Sequence, residues 1–92
     1  MTAPSIQLVS AILNNDATKI KSLGAQGVDV NACGFFTMPP LLRAAVYGKS
    51  EALIALLECG ADRAVRDQQG RTALELAQKY NHPRIVEILS KN

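Results

Sequence analysis

A shift of 33 residues lays this 92-residue chain on itself without a gap. Ala44 falls on Ala77, Tyr47 on Tyr80, Leu53 on Val86 and Leu56 on Leu89, while Gly60-Ala61-Asp62 falls on Gly27-Val28-Asp29. Self-similarity at a period of about 20 to 50 residues is the mark of a stacked array, in which no unit buries its own apolar face and each neighbour supplies the missing cover. The fold must therefore be a row of like units.

The best-formed unit lies between Pro39 and Asp62 and predicts two short helices, Pro40 to Tyr47 ending at Gly48 and Ser50 to Cys59 ending at Gly60. Ala52, Leu53, Leu56 and Leu57 give the second of these one continuous apolar face at the helical period. Proline at the first helical position costs no hydrogen bond, so Pro40 fits a helix start, and Pro40 also holds Pro39 extended. In the third unit, Thr72-Ala73-Leu74-Glu75 predicts a reciprocal capping box, and Asn81, standing where Gly48 stood, tolerates the left-handed turn that ends a helix. His82 and Pro83 then open a helix with Ile85, Val86, Ile88 and Leu89 facing inward. In the first unit Ser5 and Asp16 are expected to be the N-caps of two further helices.

The middle unit carries PPLLRAAVYGK, AL, LL and GAD, and the third carries DQQGRTALELA, NH, IV and IL. In these residues the chain resembles the ankyrin-repeat family over roughly Ser5 to Ser90. The resemblance implies an all-α solenoid of three stacked helix-turn-helix units with short hairpin-like fingers between them. It also implies a single domain over 1–92, with units expected at approximately 4–33, 34–66 and 67–92. The first unit is a degenerate cap repeat: Lys19 and Ser22 replace Ala52 and Ala55, and Gly24 replaces a leucine. Gln78 and Ser90 likewise make the last unit polar where a fourth repeat would stack, so the array is expected to be complete. Ile54, in register with Lys21 and Glu87, is expected on the exposed outer surface.

Aromatics make up only 4% of the residues and there is no Trp, so the core must be built from the Leu, Ile, Val and Ala that dominate the 48% apolar fraction. Ten basic and eight acidic residues, scattered along the chain for a net +2, imply neither a nucleic-acid nor a membrane partner. There is no basic start to a secretory leader and no run of apolar residues long enough for a span, which predicts a cytoplasmic protein. Cys33 and Cys59 are expected to be free thiols, because two separated cysteines and one histidine do not supply a metal site. No cofactor is expected. No catalytic residues are expected either: the only histidine, His82, matches a structural family residue that bonds neighbouring turns, and Asp29 and Asp62 recur because the unit recurs.

Family members usually bind partner proteins along the concave side, with fingertips and the exposed face of each first helix. Carried over position by position, this selects Phe35, Phe36, Met38, Val46 and Tyr47 in the middle unit and Gln68, Gln69, Arg71, Lys79 and Tyr80 in the third. Leu13 and Asn14 are their equivalents in the first unit. An apolar centre with a polar rim is the composition of a binding hot spot. The first finger, NACGFFTM, lacks the usual Asp and Gly, so Phe35 and Phe36 either project for binding or fold back against the first unit. The implied protein is a non-enzymatic adaptor or inhibitor that binds another protein as a monomer. The alternative is a homo-oligomeric assembly protein using the same patch.

Overall fold

The computed structural model describes residues 4–31 and 38–91. Its helices come in consecutive pairs: α1 (Pro4–Leu13) with α2 (Ala17–Ala25), α3 (Pro40–Tyr47) with α4 (Ser50–Glu58), and α5 (Ala73–Lys79) with α6 (Pro83–Ser90). The first helices α1, α3 and α5 pack in that order, and the second helices α2, α4 and α6 pack alongside them, so the molecule has two helical layers. This is the expected all-α stack.

Each pair turns at a residue with left-handed backbone, Asn15 (φ 53°), Gly48 (φ 70°) and Asn81 (φ 60°), three positions related by the 33-residue period. Asparagine and glycine are the residues that enter this region at least cost. Starts of helices are more varied. The Asp16 side chain accepts the Lys19 N–H at 3.1 Å to cap α2, and Thr72 and Glu75 form the predicted capping box on α5. Prolines open α3 and α6. Ser5 is not the N-cap of α1, because the helix already begins at Pro4, whose fixed φ and missing N–H suit the first turn. The second helix of the middle unit stops at Glu58, with Cys59 as its C-cap.

Leu8, Ile12, Ile20, Leu23, Leu41, Leu42, Leu53, Leu56, Leu76 and Ile85 are the large side chains sealed from solvent. Each contributes on the order of 1.5–3 kcal/mol of transfer free energy. Ala11, Ala44 and Ala77, one per unit, are also buried and let the first helices come close. The end units differ as expected: Lys19, Ser22, Gln78 and Ser90 are exposed where Ala52, Ala55 and Ala45 are buried and Leu57 is half-buried. Of the four residues expected to face inward on α6, Ile85 alone is fully buried; Val86, Ile88 and Leu89 are half-covered, because no further helix pair lies over them among the described residues. At Gly24 a Cβ would stand 2.6 Å from the Cys59 Sγ, so the missing side chain is what allows α2 to lie against the end of α4.

Ile54 departs from expectation. It is half-buried and not fully exposed, and it lines a hollow of about 210 Å³ between the first two units with Ala17, Lys21 and Glu58, the last two joined by a 3.1 Å ion pair. The loops repeat as the helices do: Asp29 accepts the Asn31 N–H and Asp62 the Ala64 N–H, both at 2.9 Å. Asn31 then bridges to the next unit by accepting the Asp62 N–H at 2.8 Å and donating to the Gly60 carbonyl at 3.4 Å.

Candidate functional site

The second finger is held from within. Asp67 Oδ1 accepts the Gln69 N–H at 2.9 Å and the Arg71 N–H at 2.8 Å, while Oδ2 accepts from Arg71 Nε at 2.8 Å. Arg71 Nη2 reaches on to Gln69 Oε1 at 3.0 Å. An antiparallel bridge between Arg66 and Thr72 closes the base, and Arg66 Nη1 donates to the Gly70 carbonyl at 2.8 Å. The backbone N–H of Arg71 is the largest influence holding the Asp67 carboxyl below its ordinary 3.8, and desolvation opposes it. Glu75 is held below its ordinary 4.5 chiefly by the Thr72 backbone N–H, then by the Thr72 hydroxyl. Both carboxylates are thereby committed to the finger and to the start of α5.

At the other end of α5 from the finger, the C-terminal ends of the first helices present large apolar side chains. Leu13, Tyr47 and Tyr80 are 45%, 51% and 44% exposed and, with Ile6 on the first unit, are the exposed large apolar side chains among the described residues. Asn14, Tyr47 and Tyr80 occupy one register position, and Lys79 sets its ammonium 5.5 Å from the centre of the Tyr80 ring, within cation–π range. Gln68, Gln69 and Lys79 are exposed. Met38 is half-buried against the core, yet it also joins Asp67, Gln68, Gln69 and Arg71 around a hollow of about 120 Å³. Val46 is half-buried and packs on the core, its carbonyl facing His82. Phe35 and Phe36 lie outside the described residues.

The structure thus gathers two groups. Met38, Gln68, Gln69 and Arg71 cluster at the finger, and Leu13, Asn14, Tyr47, Lys79 and Tyr80 line the helix ends. A model of ankyrin repeats (3 copies) matches residues 8–92. The chain belongs to the ankyrin-repeat family. Ankyrin repeats are in general protein–protein interaction modules and typically carry no enzymatic activity.

Within this ankyrin array the sequence reading missed Ile6, which is 46% exposed and lines a hollow of about 400 Å³ with Gln7, Ser10, Asn14 and Lys19 on the first unit. Its signal was available: Ile6 is in register with Pro39 and Thr72, residues that sit at a finger base. Among the described residues no group of three or more His, Cys, Asp or Glu could hold a metal ion. No described helix is long and apolar enough to cross a membrane.

Proposed function

We propose that this ankyrin domain is a small non-enzymatic binding module, an adaptor or inhibitor that recognises a protein partner with its second finger and the exposed ends of its first helices. The observation that carries the reading is the row Leu13, Tyr47 and Tyr80, three large apolar side chains left half in solvent on successive units. Such residues add little to stability where they stand, whereas tyrosine is among the residues that dominate binding energy when a partner covers it. The internal bonding of Asp67, Arg71 and Gln69 supports the same reading, because a finger fixed beforehand loses little freedom on docking. In this proposal Phe35, Phe36, Met38 and Val46 extend the surface, the protein acts in the cytoplasm as a monomer, and Cys59 remains a free thiol.

Affinity capture from native lysate tests it. The wild type should retain a stoichiometric partner that the double variant Tyr47→Ala, Tyr80→Ala loses, a central aromatic being worth about 2 kcal/mol or more. The control Ile54→Glu, on the second-helix layer, should retain the partner. Capture that survives the tyrosine substitutions and fails with the control would move the binding surface to the other layer.

A further inference from the structure

We draw no further inference here: the strongest candidate, the outer face of the third helix pair, where Leu74, Val86 and Leu89 stay half-covered at positions that the middle unit seals as Leu41, Leu53 and Leu56, carries none, because nothing in the structure shows what covers it.

Discussion

The Nε2 of His82 lies 2.9 Å from the carbonyl oxygen of Val46, joining the start of α6 to the end of α3 across the unit boundary. A carbonyl only accepts, so Nε2 carries the proton in this bond. The ring packs closely over the turn, where a Cβ at Gly48 would stand 2.6 Å from its Nδ1 and Cε1. His82→Ala should lower unfolding free energy by about 1–2 kcal/mol, since it leaves a helix-terminal carbonyl without its donor. Gly48→Ala should cost at least as much from left-handed backbone alone, with a further loss from the clash. Denaturant midpoints of the two single variants and the double variant check this: the double should be less destabilised than the sum, because the clash disappears with the ring.

Asn15 shows the same kind of link in the opposite direction. Its Oδ1 accepts the Ala52 N–H at 2.9 Å, capping α4, whose own N-cap residue Lys49 provides no side-chain bond. Asn15→Gly keeps the left-handed turn and removes the cap, with the long, exposed 3.5 Å bond from Asn15 Nδ2 to Glu51 Oε1, for a loss of about 1 kcal/mol. Asn15→Ala removes both and should lose roughly 1 kcal/mol more. Equal midpoints for Asn15→Gly and the wild type would remove Asn15 from the list of inter-unit ties.

Most of the fold was legible because the chain states it three times. Ala44 and Ala77, or Leu53 and Ile20, can be read as core from their register alone, and the Thr72–Glu75 box is a local pattern whose parts lie three residues apart. What the sequence hid is long-range and polar. Nothing near Asn15 says that its amide will cap a helix 37 residues on, and Lys49 in isolation reads as a helix start without a cap. The hollow that Ile54 shares with Ala17 and Lys21 of the first unit, where Lys21 pairs with Glu58, is a relationship between units that a single-position comparison does not contain. At the candidate site, exposure of Tyr47 and Tyr80 followed from their shared register, while the locking of Arg71 by Asp67 and Gln69 required the finger's folded geometry.

Stability should fall in acid for a reason that can be assigned. Folded-state pKa values of Asp67 and Glu75 lie below their ordinary 3.8 and 4.5, so the stabilisation they provide is fully present above those ordinary values. It is lost as pH falls through the lower folded values, when protonation removes the acceptor for the N–H groups. Thermal melts taken downward from pH 6 should show the midpoint dropping from about pH 4.5 onward. Asp67→Asn should lower the midpoint at pH 6 and flatten its pH dependence, and an unchanged slope in that variant would place the acid sensitivity elsewhere.

Exposure separates the tyrosine row from the core. Tyr47→Ala and Tyr80→Ala, at half-exposed positions where the described contact is the exposed Lys79 ammonium over the Tyr80 ring, should each change unfolding free energy by no more than about 0.5 kcal/mol. Leu53→Ala, at a fully sealed position between the neighbouring units, should cost about 2–5 kcal/mol. Urea titrations of the three variants give the comparison directly. A tyrosine substitution as damaging as Leu53→Ala would make the row part of the fold and not a surface kept for a partner.

The stack as a whole predicts how the chain fails when shortened. Removing everything after Gln69 deletes α5 and α6, which cover α3 and α4 from one side. Leu42, Ala45, Leu53 and Leu56 are sealed in the full chain, and those facing the deleted pair would be exposed to water. His82 would no longer hold the end of α3, and Arg84 would no longer pair with Glu51. Because stability in such arrays is close to a sum of unit and interface terms, and isolated units are unstable, two units retain too few interfaces. The 1–69 fragment should show little helical circular dichroism at room temperature and no cooperative melt. A cooperative, helical transition from that fragment would mean that the first two helix pairs are a self-sufficient core and that the third is only appended to it.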